Sequence, residues 1–303
     1  MIFGDRKISF KFKPSIQESL WLAGAFNLAD FIPFLGAFDP QGMTHRWKHV
    51  RKIMDQCLEK IINEYEQNTI EQQDCLGGFT NVLLSLMKAD SNTQELKLDR
   101  SQVKAITLEI LAAAMDTSAS TVEWALSELL RHPRAMKNFK KKEADLEKLD
   151  YLNMVVKETM RLHPVTAIYL RESTDDIAIN NFHIPKKTWI MINNWAISRD
   201  PVAWAEKTEE FYPERFINAN LDVRGQDMKL LPFGSGRRKC AGMELGIKTV
   251  QLVLAQVLHC FTLELPDGMS PRDVNMKDIF GLTVPRADHL LVVPNYLLHI
   301  TNI

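Results

Sequence analysis

Apolar residues recur at three- and four-residue intervals through most of this chain, and that spacing predicts a mainly helical protein. Between residues 44 and 67, Trp47, Val50, Ile53, Met54, Leu58, Ile61, Ile62 and Tyr65 fall on one helical face with charged residues between them. A shorter helix is predicted over 79–88, after a polar loop at 69–76 and the Gly77-Gly78 pair; 89–97 reads as a surface linker. The longest helical pattern starts at Asp99 or Ser101 and closes near His132, ahead of Pro133. Its centre, 110–119, is apolar on nearly every face, so it is expected to be buried and to cross the middle of the fold. A helical pattern continues from 126 to 142, where Lys140, Lys141 and Lys142 read as a solvated face, and another runs from 151 to 163 before Pro164. The texture then changes to alternation. Strands are predicted at 167–170, 177–179 and 189–192, with Asn180-Asn181 as the turn signal, followed by a short helix at 195–199. A helix over 243–258 precedes strands at 261–265 and 290–294, with Pro266-Asp267-Gly268 as a turn. Residues 15–38 are unusually apolar, through Trp21, Leu22, Phe26, Phe31, Ile32 and Phe34, and predict a core-packing helix and turn. The pattern as a whole is mainly α with small β-sheets.

Composition changes little in that picture. At 303 residues, 46% hydrophobic and 25% charged, the chain has the make-up of a globular protein able to bury a large core. A formal net charge of −1 gives no reason to expect a nucleic-acid partner. Cys57, Cys75, Cys240 and Cys260 lie far apart with no paired motif, which suits a reducing compartment. There is no signal-peptide core and no run of about 18 apolar residues to span a membrane.

The chemistry concentrates in one loop, Pro232-Phe233-Gly234-Ser235-Gly236-Arg237-Arg238-Lys239-Cys240-Ala241-Gly242, which passes directly into a helix. Glycines permit the backbone angles of a tight loop around a flat ligand. Cys240 stands just ahead of a helix start, where free N–H groups, the helix dipole and three cationic side chains favour a thiolate. Such a loop suits a metal held by one thiolate, with arginines left over for carboxylates. A lone cysteine is more often a small buried hydrophobe. A zinc site lacks a second Cys or His at short spacing, and a phosphate loop would need another order of Gly, Lys and Ser/Thr. A Cys–His nucleophilic pair stays open with nothing local in its favour. Two further clusters stand out. Asp116-Thr117-Ser118 places a carboxylate beside two hydroxyls within an apolar helix, where an unpaired charge costs several kcal/mol; the hydroxyls could equally bond back to helix carbonyls. Glu158 and Arg161, three apart, share a helix face and can pair, most often as an exposed pair worth about 0.5 kcal/mol.

The loop resembles the haem-binding signature of the cytochrome P-450 family, Phe-x-x-Gly-x-Arg-x-Cys-x-Gly, filled here by Phe233, Gly236, Arg238, Cys240 and Gly242. Ala241 stands where relatives most often carry Pro. The resemblance implies that Cys240 is the axial thiolate of a haem b iron, that Arg238 and Arg171 partner its propionates, and that the Phe233 ring packs against the sulfur. Residues 113–118 resemble the family's oxygen-activation motif, with Ala114 in place of the usual Gly; Asp116 and Thr117 would then deliver protons during oxygen activation. Glu158-Thr159-Met160-Arg161 and Phe211-Tyr212-Pro213-Glu214-Arg215-Phe216 resemble the two halves of the family's buried structural charge network, carried by Glu158, Arg161 and Arg215. Ala113, Thr166, Ala167, Ile168, Tyr169, Leu282 and Thr283 would line the substrate pocket, with residues 15–38 as its roof. Trp47 and Arg51 imitate a haem-contacting Trp-x-x-x-Arg pattern, but they resemble a different part of the family and are read as ordinary helix residues.

The resemblance extends over essentially the whole chain and is nearest to plant microsomal members. It implies a haem-thiolate monooxygenase that inserts one oxygen atom from O2 into an apolar secondary metabolite. NADPH would supply electrons through a reductase docked near Arg237, Lys239 and Lys248. The Asp116-Thr117 pair argues against a peroxide-rearranging relative. Family members carry an N-terminal membrane anchor, a hinge and several helices before the part present here. The chain is therefore expected to be one catalytic domain over residues 1–303, N-terminally truncated. By resemblance it would belong at the cytosolic face of the endoplasmic reticulum membrane, while the chain as given, with no anchor, is compatible with a soluble protein. A non-catalytic remnant binding haem weakly or not at all is the alternative.

Overall fold

The computed structural model describes residues 12–71, 79–88, 98–141, 147–205, 207–219 and 221–297. The calls on Gly77-Gly78, on 89–97, and on residues 72–76 and 142 lie outside them. Clustering of the backbone divides the chain into two compact units, Met1–Asp116 and Thr117–Ile303.

In the first unit α1 (Phe12–Gly24) is followed by the single turn α2 (Leu28–Phe31), a 3-10 turn at Pro33–Ala37, α3 (Met43–Glu71) and α4 (Phe79–Lys88). Its core joins Phe12, Ile16 and Leu22 of α1 to Val50, Met54, Leu58 and Ile62 of α3 and to Leu83 and Leu84 of α4. The α3 residues follow the helical spacing visible in the sequence. That helix runs on through Glu71, so residues 69–71, expected to open a loop, are helical.

The apolar stretch at 15–38 does not pack as expected. Leu22 is buried, but Trp21, Phe26, Phe31, Ile32 and Phe34 are all exposed, Phe34 to 71%. The chain there breaks into α1, one α-turn and one 3-10 turn. Pieces that short cannot align their side chains into one continuous stripe, so high apolar content did not become burial.

The helix α5 (Arg100–Arg131) crosses the boundary between the units. Asp99 starts it, accepting from the Gln102 N–H at 2.8 Å while Gln102 Oε1 accepts from the Asp99 N–H at 2.8 Å. Val103, Thr107 and Leu111 bury one face of its first half, and Trp124, Ala125, Glu128 and Leu129 bury its second. Between them the expectation of all-round burial fails. From Ala112 to Ala119 no residue is buried, and Ala113 and Ala119 are exposed. This stretch is only partly covered although its sequence is apolar, with Ala112 and Met115 packed at the edge of the first unit's core. Arg100 and Lys104 anchor the first half by ion pairs to Glu59, Glu66 and Asp55 of α3.

In the second unit the helical pattern expected through 126–142 breaks at His132. Pro133 opens a new helix, α6 (Pro133–Lys141), because a proline has no N–H to continue the ladder of α5. Then come α7 (Glu147–Leu162), the strands β1 (Ile168–Glu172), β2 (Ile177–Ile179), β3 (Phe182–Ile184) and β4 (Trp189–Asn193), the turns α8 (Asn194–Ile197) and α9 (Pro201–Trp204), α10 (Met243–Cys260), β5 (Phe261–Glu264) and β6 (Val293–Tyr296). The expected strand at 290–294 is thus displaced toward the C-terminus.

Among the described residues the strands form three antiparallel pairs: β1 with β4, β2 with β3, and β5 with β6. Asn180 and Asn181 both have positive φ (45° and 67°), the conformation of the tight hairpin turn that their sequence signalled. The core of this unit packs Tyr151, Leu152, Val155 and Val156 of α7 against Val250, Leu254 and Leu258 of α10. A satellite cluster of Trp204, Phe216, Val223 and Leu230 adjoins it through Phe233 and Ile247. Among the described residues, no helix is long and apolar enough to cross a membrane.

Candidate functional site

The firmest part of the site is a buried ion network. Glu158 and Arg161, one helical turn apart on α7, are both 0% exposed. Arg161 donates to both Glu158 carboxylate oxygens, at 2.8 and 2.9 Å, and to the carbonyls of Ser198, Thr208 and Glu210. Arg215 Nε donates to Glu158 Oε1 at 2.9 Å, and the Tyr212 N–H donates to the same oxygen at 2.8 Å. The pair is therefore no surface bridge. A desolvated carboxylate is tolerated here because two guanidinium groups and an amide surround it.

The Cys240 loop is built differently. Gly234 and Gly236 have φ of 70° and 71°, which lets the chain turn at residues 231–234 and again in a short 3-10 turn, Gly236–Arg238. The Cys240 N–H donates to Phe233 O at 2.9 Å and closes the loop, and Gly242 caps α10. Phe233 is half-buried between the two apolar clusters, whereas residues 236–242 are exposed, Cys240 included. The loop is backed from behind by Gly225. Its φ is 82°, and a Cβ there would stand 2.4 Å from Gly234 O; Ser235 Oγ donates to Gly225 O at 2.6 Å. The sequence reading missed Gly225, although Arg-Gly-Gln between polar residues is a turn signal.

The strand β1 lies against this loop, and the expectation that Tyr169 faces the substrate needs correcting. Its hydroxyl donates to Leu231 O (2.5 Å) and Pro232 O (3.0 Å) at the start of the Cys240 loop. Burial pushes its phenol up to about 12. Arg171, two residues on and hence on the same strand face, brings Nη2 to 3.5 Å from Arg238 O. Ala167 is buried, Thr166 and Ile168 are half-buried, and the Thr166 carbonyl accepts from Asn194 Nδ2 at 3.1 Å.

A second buried network went unread in the sequence. Glu128 of α5 holds His163 (2.5 Å) and His132 (3.1 Å). Burial alone would push the Glu128 carboxyl up, but hydrogen bonds from His132 and His163 outweigh it and hold it at about 2. The His163 ring stacks on Trp124, centroids 4.0 Å apart and 5° from parallel. Trp124 Nε1 donates to Val284 O at 3.1 Å, and the Val284 N–H donates to Val165 O at 2.9 Å. The segment holding Leu282, which is exposed, and Thr283, which is half-buried, is thereby fastened beside the start of β1.

Asp116 and Thr117 are half-buried on α5, at the end of one unit and the beginning of the next, and the Thr117 carbonyl accepts from Thr121 Oγ1 at 2.8 Å. Ala113, one turn earlier, is exposed. Trp47 and Arg51 are exposed residues of α3.

This arrangement fits a haem. It offers one exposed sulfur ahead of a helix N-terminus and guanidinium groups for carboxylates. Open space lies at Gly236, where a Cβ would meet nothing within 4 Å, and at Gly242, whose missing Cβ leaves the flank of Cys240 Sγ clear. Among the described residues there is no cluster of three His, Cys, Asp or Glu that could hold a metal ion.

Comparison with known proteins agrees. The family model for cytochrome P450 matches residues 5–291. The chain is 49% identical to cytochrome P450 CYP736A12 of Panax ginseng, over 95% of this chain and 61% of the relative. It is 40% identical to cytochrome P450 84A1 of Arabidopsis thaliana, over 92% and 59% of the two chains, and 40% identical to flavonoid 3'-monooxygenase of Petunia hybrida, over 94% and 58%. The chain thus spans about three fifths of the length of these relatives. Members of the family bind haem b through a cysteine thiolate. With the family model covering nearly its whole length, and with a loop that suits that thiolate, this chain belongs to the cytochrome P450 family.

Proposed function

We propose that this chain is the haem-thiolate part of a monooxygenase that inserts one oxygen atom from O2 into an apolar plant secondary metabolite. Electrons would come from NADPH through a reductase. The observation that carries the reading is Cys240, exposed at the rim of a glycine-shaped loop immediately before α10, in a chain of this family. Haem supplies the oxygen-activating chemistry when bound, and a thiolate ligand favours cleavage of the O–O bond.

The protein's own residues do the rest. Cys240 Sγ would ligate the iron. Arg171 and Arg238 would pair the propionates, Phe233 would back the sulfur, and Gly236 and Gly242 would keep the loop open. Glu158, Arg161 and Arg215 support the loop's surroundings without touching substrate. The Asp116 carboxyl and Thr117 Oγ1 would hold and pass on a proton. Ala113, Thr166, Ala167, Ile168, Leu282 and Thr283 would contact the substrate. Arg237, Lys239 and Lys248 would meet the reductase, at the cytosolic face of the endoplasmic reticulum membrane. The flavonoid 3'-monooxygenase relatives favour a phenolic within the apolar class.

A reduced, carbon-monoxide difference spectrum of the chain supplied with haem tests the reading. A red-shifted Soret band that disappears in Cys240→Ala is the expected result. A band indifferent to Cys240, or none, would overturn it in favour of a non-catalytic remnant of the fold.

A further inference from the structure

One side chain ties the start of the Cys240 loop, Leu231 and Pro232, to the sheet, and nothing in the loop's own sequence points to it. Tyr169 sits in β1, paired with Ile192 of β4, and sends its hydroxyl sideways to two successive carbonyls, Leu231 O and Pro232 O. Those carbonyls open the turn at residues 231–234, in which the Gly234 N–H donates to the same Leu231 O at 3.1 Å. The next carbonyl, Phe233 O, accepts the Cys240 N–H. The hydroxyl thus lies one residue upstream of the hydrogen bond that sets the cysteine backbone.

Behind it stands Asn194, 1% exposed, whose Nδ2 reaches both Thr166 O and, at 3.4 Å, the Tyr169 oxygen. Its Oδ1 finds no donor among the described residues. A buried amide with an unused acceptor is costly, so the face that is used, toward Tyr169 and Thr166, is the one its burial serves. Arg171 leans on the same loop two residues further along the strand.

The geometry points to Tyr169, supported by Asn194, as a positioning residue that fixes the backbone presenting Cys240 to its ligand. This rests on the haem-thiolate reading for the identity of that ligand. The tie persists over the whole range where proteins work, because burial keeps the phenol protonated up to about pH 12. Phenylalanine would preserve the ring's packing and remove only the hydroxyl.

Two measurements on the full chain, wild type and Tyr169→Phe, test the proposal, with Asn194→Ala as a milder second variant. The first is amide hydrogen exchange. Gly234 and Cys240 are expected to exchange on the order of fivefold faster in Tyr169→Phe, the effect of losing one net hydrogen bond. Residues 250–258 of α10 should not change, which separates a loosened loop from a protein that fails to fold. The second is the reduced carbon-monoxide spectrum with haem supplied. Part of the red-shifted band should move to shorter wavelength in Tyr169→Phe, and less of it in Asn194→Ala.

Unchanged exchange at Gly234 and Cys240 would overturn the proposal. So would faster exchange with a wild-type band, since the loop would then hold its cysteine without the tyrosine. A wild-type chain with no Cys240-dependent band would instead overturn the haem-thiolate reading, and the exchange data alone would then decide whether Tyr169 holds the loop.

Discussion

The Glu158 network and the Cys240 loop are both rich in cations and belong to the same unit, yet they treat charge in opposite ways. In the first, Arg161 is fully buried and spends its donors on one carboxylate and three carbonyls. In the second, Arg237, Arg238 and Lys239 stand exposed around a free sulfur. A closed network cannot take up a ligand without losing its own bonds, whereas an open one has its binding capacity still to use. Burial, more than residue type, separates the support from the site. Both share one feature, since in each a side chain donates to backbone carbonyls of a segment distant in sequence.

The largest effect that would test this contrast is in the closed network. Glu158→Gln leaves the buried Arg161 and the half-buried Arg215 facing a neutral amide, and breaking a buried pair in this way costs about 3–5 kcal/mol. Urea denaturation should show the midpoint fall accordingly; a loss under 1 kcal/mol would mean that the network is wetter than its geometry indicates.

Glu128 is a second closed network, and pH reads it. Its carboxyl ionises below its ordinary value of 4.5, at about 2. Its contribution is present above pH 4.5 and is lost as pH falls toward 2, a loss of the order of 3 kcal/mol. His132 works in the opposite direction. The Glu128 carboxylate beside it raises its ionisation above 6.5, so its share is present below pH 6.5 and is lost as pH rises through the raised value. Denaturation of Glu128→Gln across pH 2–9 should be flatter than that of wild type in both windows.

Gly225→Ala joins the two regions of the comparison, because it is a buried change behind the open loop. Its φ of 82° and a Cβ 2.4 Å from Gly234 O force the backbone to move, at a cost of about 1–3 kcal/mol. Haem retention should fall with stability. The smallest effect is expected at the loop itself. Arg238→Gln, an exposed change, should leave stability within about 0.5 kcal/mol of wild type while weakening haem retention in a dialysis assay. Equal losses in both measurements would erase the distinction between support and site.

Much of this was legible in the sequence, for identifiable reasons. The spacing of Val50, Met54, Leu58 and Ile62 showed a helical face, and that face is buried. Asn180-Asn181 announced a turn with positive φ, which short amide side chains tolerate. Glu158 and Arg161 were recognisable as partners from their spacing alone, but not as a buried pair. The loop around Cys240 showed its glycines and cations, but not the tyrosine or the glycine that hold it from outside.

What the sequence determined by itself is therefore local: where the chain coils, where it turns, and which side chains could ligate a metal. These follow from spacing and backbone angles, which each segment carries with it. The tertiary structure alone decided what is covered. It left Trp21, Phe31 and Phe34 exposed despite their apolar context, opened the small-residue centre of α5, and turned Tyr169 onto the loop. Burial and hydrogen-bond partners are properties of whatever packs against a residue. The Tyr212 and Arg215 donors to Glu158, and the Leu231 and Pro232 carbonyls that accept from Tyr169, come from segments more than fifty residues away, and the spacing within one segment names none of them.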